Sequence, residues 1–445
     1  MSSDEYGEAC TGLKSLSRKQ KKYNSYRPLR KVKRADFAGN GSLGKYKEIC
    51  GGFKSKPGSV SSRRELINKG LPRSRYSLCG LFPIPEKPIE LKRALKEDGC
   101  VKCGFVSGVI KCGSGWVCPS CSMMVANGRL ESLQEVVSKW EQVHGHGSML
   151  MLTLTLSHRP SSKLSKLLKI LAGSQRDMMS RYACKNVKKD LDIRGYFRVL
   201  EITGGNPDKW YDGNGWHPHY HFLWFCGGRP SDLEIEVARD RIARCWSSVV
   251  DSNDGMASFR NGIDLERVTK TNGIVNYMTK QADGPKAWTV EDELVKGKMK
   301  RGRGGDRLTP FAMLDKFGEL KSDKSLERFT EYSKATKGKA QYLWSRGFKQ
   351  EVMELIGKDL QDDDELIDSK IGPIDEIIAV LPVVKYRRIT VSGHAALLRI
   401  AESNRPLIEL RRAALLVVDD DYRVWKRKKS KRDRVRKISY EELNL

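Results

Sequence analysis

Histidine is scarce in this chain, with seven residues in 445. Acidic side chains are in deficit too, 55 against 82 basic ones, leaving a formal net charge of +27. No stretch approaches the roughly 20 apolar residues that span a bilayer, and the opening "MSSDEYGEACTGLK" has no apolar signal-peptide core. No basic helix with a strong apolar face suits an anionic membrane surface. There is no Gly-x-x-x-x-Gly-Lys-Ser/Thr loop, so no nucleotide-driven motor is expected, and there is no internal repeat. These absences predict a cytosolic protein with no membrane partner. Its charge fits an anionic polymer, nucleic acid foremost; the bland alternative is a solubilising surface. Thiols stay reduced in a cytosol, so the eleven cysteines read as metal ligands or buried side chains rather than disulfides.

The length suits two or three domains of ~100–200 residues. Residues 1–97 read as a basic, partly disordered arm. Its "SRKQKKYNSYRPLRKVKR" interleaves aromatics with charge, and either tracks a phosphate backbone and stacks bases or is simply solvated. A cysteine module over 98–128 and a central domain over 129–315 follow. In the latter, "MLMLTLTLS" (149–157), "GYFRVLEIT" (195–203) and "GWHPHYHFLWF" (215–225) read as strands. Turn residues between the last two predict an antiparallel hairpin. Helices are expected over 161–183, over 232–250 behind a Ser231 or Asp232 cap, and over 271–281, with a further strand near 256–266. That order predicts an α+β fold, an antiparallel sheet with flanking helices. Residues 316–445 read as mainly helical, ending in the basic "KRKKSKRDRVRK".

"CVKCGFVSGVIKCGSGWVCPSC" holds Cys100-x2-Cys103 and Cys118-x2-Cys121, separated by fourteen residues. Two such pairs match a four-thiolate structural zinc site, each pair on a tight turn favoured by Gly104 or Pro119. Cys112 lies between them and is an alternate ligand.

Three of the seven histidines, His217, His219 and His221, alternate along one short stretch. A strand points such residues to one face, where imidazoles converge on a divalent ion more readily than they serve as core. A third ligand is needed. Glu201, a carboxylate among apolar residues of the neighbouring strand, is costly to bury unpaired; His217 is its rival. Mixed imidazole and carboxylate donors suit Mg²⁺ or Mn²⁺, and Zn²⁺ as well. Downstream, "NYMTK" sets Tyr277 and Lys280 three residues apart, on one side of a helix. A phenol is a poor nucleophile at neutral pH unless a metal ion or ammonium favours the phenolate.

The order "LTLTLS", "HPHYHFL", "NYMTK" resembles the three motifs of the HUH endonucleases. With the cysteine cluster upstream, residues 98–315 resemble the Rep class 1 family of plasmid rolling-circle replication initiators. The resemblance implies an HUH-like nicking domain with a central histidine strand. It implies His219 and His221 as paired metal ligands, Glu201 as the third, Tyr277 as nucleophile and Lys280 as its basic companion. Three alternating histidines replace the motif's two, and Gln281 stands where some relatives carry a second tyrosine, so one nucleophile is expected. The implied activity is nicking one strand at a plasmid or phage origin, presented single-stranded or in a hairpin. A 5′-phosphotyrosyl link and a 3′-hydroxyl primer result, and the DNA is rejoined later. Host helicase and DNA polymerase are the expected partners. The rivals are an HUH transposase and a non-catalytic zinc-containing DNA-binding regulator; the tyrosine's place after the histidines argues against a relaxase.

Overall fold

The computed structural model describes residues 53, 58–95, 99–211, 215–268, 307–367 and 374–441. Along the chain come helix α1 (Val60–Gly70), strands β1 (Ile89–Leu95) and β2 (Val101–Ser107), helix α2 (Pro119–His144) and strand β3 (Met149–Thr155). Helices α3 (Leu164–Ser180) and α4 (Tyr182–Asp190) lead to strands β4 (Ile193–Gly205) and β5 (Trp216–Cys226), helix α5 (Asp232–Asp251) and strand β6 (Ile263–Arg267). Then follow strand β7 (Arg307–Leu308), helices α6 (Pro310–Leu320) and α7 (Asp323–Ala335), strand β8 (Tyr342–Trp344) and helix α8 (Phe348–Ile356). Strand β9 (Ile374–Leu381) and helices α9 (Val391–Ala401) and α10 (Leu407–Glu441) complete the course. Among the described residues no helix is long and apolar enough to cross a membrane.

The fold is α+β, with antiparallel sheets flanked by helices. The chain divides into two compact units, Met1–Val125 with Asp362–Leu445, and Ala126–Gln361. The cysteine stretch and the end of the chain therefore share one unit. Within it β1 pairs antiparallel with both β2 and β9, giving the order β2-β1-β9. Residues 58–95, expected within the arm, supply α1 and β1 instead. Helix α1 starts where the Ser59 side chain accepts from Ser62 N. It is tied to α9 and the residue after it: Arg399 pairs with Glu65, and Glu402 accepts from Ser61 N at 3.1 Å. Helix α9 lies close on β2 at Gly104, where an added Cβ would sit 2.5 Å from Ala401 Cβ and 2.9 Å from the Leu398 carbonyl. Gly104 thus serves close packing of helix on strand rather than a turn.

The second unit is built on a six-stranded sheet of order β6-β3-β5-β4-β7, with β8 also on β4. From β3 to β6 the elements follow the expected sequence of strand, helices, hairpin, helix and strand. The expected helix over 271–281 lies outside the described residues. Leu150, Leu152 and Leu154 are fully buried on β3, as is Phe222 on β5. Buried Leu167, Leu168 and Leu171 of α3, and Ile242 and Trp246 of α5, supply apolar helix faces to the same unit. Helix α5 begins with a full capping box, Ser231 and Glu234 each bonding the other's backbone N–H. Trp246 Nε1 donates to the Thr155 carbonyl at 2.8 Å, fixing α5 to the end of β3. The alternate residues of β3, β4 and β5 form the other face. At one end it is aromatic, where Trp140 of α2 meets Phe225 and Phe348. At the other end it carries Thr153, Glu201, His219 and His221.

Gly104→Ala is expected to lower the thermal unfolding midpoint, the overpacking costing about 1–3 kcal/mol. A melting curve superimposable on that of the unsubstituted protein would refute the close approach of α9 to β2.

Candidate metal centres

Register assembles the first centre. Glu201 of β4 pairs directly with His219 of β5, and Val199 with His221. On the other side of β5, Thr153 of β3 pairs with His221 and Thr155 with His219. Residues directly opposite in antiparallel strands share a face, so Thr153, Glu201, His219 and His221 meet there. His219 Nε2 lies 2.9 Å and His221 Nε2 3.1 Å from the same carboxylate oxygen, Glu201 Oε2. All three side chains are largely buried, at 12% exposure for Glu201, 10% for His219 and 6% for His221. Burial alone would raise the Glu201 carboxyl, but the facing His219 and His221 rings in their protonated form hold it well below the usual carboxylate range, a role that a bound cation would take over from those protons.

Three acceptor atoms so close need protons or a cation between them. Two donors each ~2.1 Å from one ion and at right angles to each other lie about 3.0 Å apart, which is the spacing present. The remaining ring nitrogens favour the cation. His219 Nδ1 faces the His217 carbonyl at 3.3 Å and must donate to it, leaving Nε2 as the lone-pair atom. His221 Nδ1 lies 3.0 Å from Thr153 Oγ1, a partner that can accept its proton. Both rings can then present unprotonated Nε2 atoms to one point beside Glu201. Such supporting bonds fix the tautomer and orientation of a ligating imidazole.

His217 is not one of the three gathered donors. Its Nδ1 is 2.7 Å from His158 Nε2, and burial, reinforced by His219, His158 and Arg307, pushes its imidazole down to about 2. Its backbone carbonyl accepts from His219 Nδ1 and its ring lies against the His219 ring, with centroids 5.1 Å apart, but its ring nitrogens are not among the three gathered donors. Thr153 and His158 were missed from sequence. The Thr of "LTLTL" reads as strand former, and only the register reveals its partner. Tyr277 and Lys280 lie outside the described residues.

The second centre corrects the expected ligand set. The sulfurs brought together are those of Cys79, Cys112, Cys118 and Cys121, all buried and all within 4.8 Å of one another. Cys118 and Cys121 are as expected, the alternate Cys112 is included, and Cys79 replaces the pair Cys100 and Cys103. The reason is local structure: the chain from Val101 to Ser107 runs in β2, with Cys103 opposite Ala94 of β1. Three residues of extended chain separate Cα atoms by roughly 10 Å, too far for two ligands held on one tight turn. Cys100 is exposed, and Cys103 is buried but not one of the four gathered sulfurs. The turns instead follow Cys79 and Cys112, where Gly80 and Gly113 take positive φ values of 81° and 68°. A Cys-Gly pair outside the expected module was the overlooked signal.

The fit to a tetrahedral ion is close. Sulfurs ~2.3 Å from one ion stand about 3.8 Å apart at tetrahedral corners. Cys121 Sγ is 3.6 Å from Cys79 Sγ and 3.7 Å from Cys112 Sγ. The Cys112 N–H donates to Cys79 Sγ at 3.3 Å. Burial opposes ionisation of Cys118, but its neighbouring thiols and Arg64 hold it well below the ordinary thiol range.

Residues 106–229 match the family model described as Replication protein (Rep_1). The matched span contains Cys112, Cys118, Cys121, Thr153, Glu201 and the three histidines, but not Cys79 or Tyr277. A Streptomyces lividans protein named "Protein rep" is 24% identical over 318 residues, covering 58% of this chain and 67% of that one. A Streptomyces cyanogenus protein named "Neomycin resistance protein" is 27% identical over 146 residues. That match takes in 27% of this chain and 32% of the relative's length. No solved structure matches.

Thr153→Val should weaken divalent-ion binding at the histidine centre by about 10–100-fold, and Thr153→Ser should retain it. Titration with Mn²⁺ followed by electron paramagnetic resonance reads both; equal affinity in Thr153→Val would contradict the tautomer assignment. At the other centre, Cys79→Ser should lose as much bound zinc as Cys118→Ser, whereas Cys100→Ser keeps it. Elemental analysis of the purified variants decides.

Proposed function

We propose that the chain is a replication protein of the Rep class 1 family and that it nicks one strand of origin DNA through Tyr277. The observation that carries the reading is the convergence of Glu201, His219 and His221 on one point within the family-matched span. Oxygen and imidazole donors suit Mg²⁺ or Mn²⁺, and an ion held there would act as a Lewis acid on a scissile phosphate oxygen.

The chain's own residues do the rest. Glu201 and the two rings are held by the sheet, so little reorganisation is needed when the phosphate arrives. The Tyr277 phenol oxygen attacks phosphorus in line. The bond to the 3′ oxygen breaks, and that oxygen leaves as a 3′-hydroxyl on taking up a proton. Lys280 favours the phenolate or holds the phosphate. The 5′-phosphotyrosyl link keeps the phosphodiester energy, so reversal onto another 3′-hydroxyl rejoins DNA without ATP. Strand β7 supports the reading. It pairs Arg307 with Gly205 and Leu308 with Gly204, one strand from His217. The chain that follows Tyr277 therefore re-enters the sheet at its histidine end.

The target strand must be single-stranded or extruded from a hairpin for its phosphate to reach a site on a sheet face. The net charge of +27 favours such a partner. The 3′-hydroxyl would be extended by a host DNA polymerase behind a host helicase, in the cytoplasm. The four-cysteine centre would hold a structural Zn²⁺, since thiolates fill every position of a tetrahedral ion.

The test is an adduct assay. Origin-containing single-stranded DNA and Mn²⁺ should yield an SDS-resistant protein–DNA species. Tyr277→Phe should abolish it, and His219→Ala or Glu201→Ala should reduce it by at least about 100-fold. Adduct formation by Tyr277→Phe would reject the nucleophile. No adduct with any DNA of the same replicon would favour a non-catalytic regulator.

A further inference from the structure

Arg64, on α1, is fully buried at 0% exposure. Its guanidinium donates to three carbonyls of the loop that leads into the cysteine centre, those of Tyr76, of Ser77 at 3.2 Å and of Cys79 at 2.8 Å. Among the described residues no carboxylate pairs with it. The ionisable groups that sit with the loop it holds are the four gathered sulfurs of Cys79, Cys112, Cys118 and Cys121. An isolated buried cation is strongly unfavourable and persists only with a compensating charge. Four neutral thiols supply none. Four thiolates around a divalent ion carry a net charge of minus two and do supply it.

We propose that Arg64 is the built-in counter-cation of a dianionic four-thiolate metal centre formed by Cys79, Cys112, Cys118 and Cys121. The inference rests on the reading of those cysteines as a metal centre and adds its charge state and the residue that balances it. Arg64 acts in two ways. Its fork fixes the carbonyls of residues 76, 77 and 79, which positions Cys79. Its charge lowers the cost of gathering four anionic sulfurs in a buried place. The far end of the chain braces the same loop: Tyr386 donates from its hydroxyl to the Gly80 carbonyl at 2.7 Å. The His394 ring lies where a Cβ on Gly80 would approach Nε2 to 2.6 Å.

The test uses full-length protein and two substitutions, Arg64→Gln, which removes the charge, and Arg64→Lys, which keeps it. Wild-type protein is first assayed for bound zinc; absence of metal would sink the reading of the centre itself and the inference with it. Given metal, chelator competition should show Arg64→Gln binding zinc about 10–100-fold more weakly, with Arg64→Lys close to wild type. In cobalt-substituted protein the thiolate-to-cobalt charge-transfer band should shift in Arg64→Gln and not in Arg64→Lys. A purely structural arginine would change the melting temperature without moving that band. Wild-type affinity and spectrum in Arg64→Gln overturn the proposal, as do equal losses in the two variants. If Arg64→Gln does not fold, a folded Arg64→Lys decides: retained zinc supports the counter-cation, and loss as complete as in Cys79→Ser overturns it.

Discussion

A single carboxylate oxygen between two imidazole nitrogens sets the terms for the second unit. Glu201 Oε2 meets His219 and His221 Nε2 at 2.9 and 3.1 Å because β4 and β5 pair in one register. A slip of one residue would send the histidines and the glutamate to opposite faces. The register is held by the rest of the sheet. Leu150, Leu152 and Leu154 must stay on the buried side of β3, and the same alternation puts Thr153 beside His221. Apolar packing on one face thus places polar donors on the other.

The two centres divide the available ligand chemistry. The sheet offers nitrogen and oxygen donors on rigid strands, a set suited to a hard or borderline ion that exchanges ligands with a phosphate. The first unit offers four sulfurs from two glycine-turned loops and the start of α2, a soft, closed set suited to an ion that only holds chain together. Both gather charge in buried places and both need compensation. At the sheet two imidazoles face the glutamate; beside the four sulfurs a buried arginine holds the Cys79 carbonyl.

Much of this was legible in the residues. Alternating histidines on an apolar strand, with a glutamate stranded among apolar neighbours, point to Glu201, His219 and His221 with His217 as a rival, because strand periodicity has only two faces and puts all three histidines on one of them. The capped helix at Ser231 and the hairpin across "NPDKWYDGNG" follow from local chemistry. The cysteine ligands were only half legible. Spacing favoured Cys100 and Cys103, but spacing is blind to whether a Cys-x-x-Cys segment turns or extends, and β1 recruits this one into a strand. Cys79 was hidden by its setting in a basic stretch read as an arm. Strand β9, "IDEIIAVL", sits in a region that read as helical because a short apolar run fits either period. Thr153, His158 and Arg64 could not be found from sequence, since each matters through a partner far away in the chain. Tyr277 and Lys280 rest on motif order alone.

The most direct measurement is anomalous X-ray scattering at the manganese edge from crystals grown with Mn²⁺. The account predicts a peak within bonding distance of Glu201 Oε2, His219 Nε2 and His221 Nε2 together. A peak elsewhere, or one bonded to the His217 ring in place of Glu201, would contradict it.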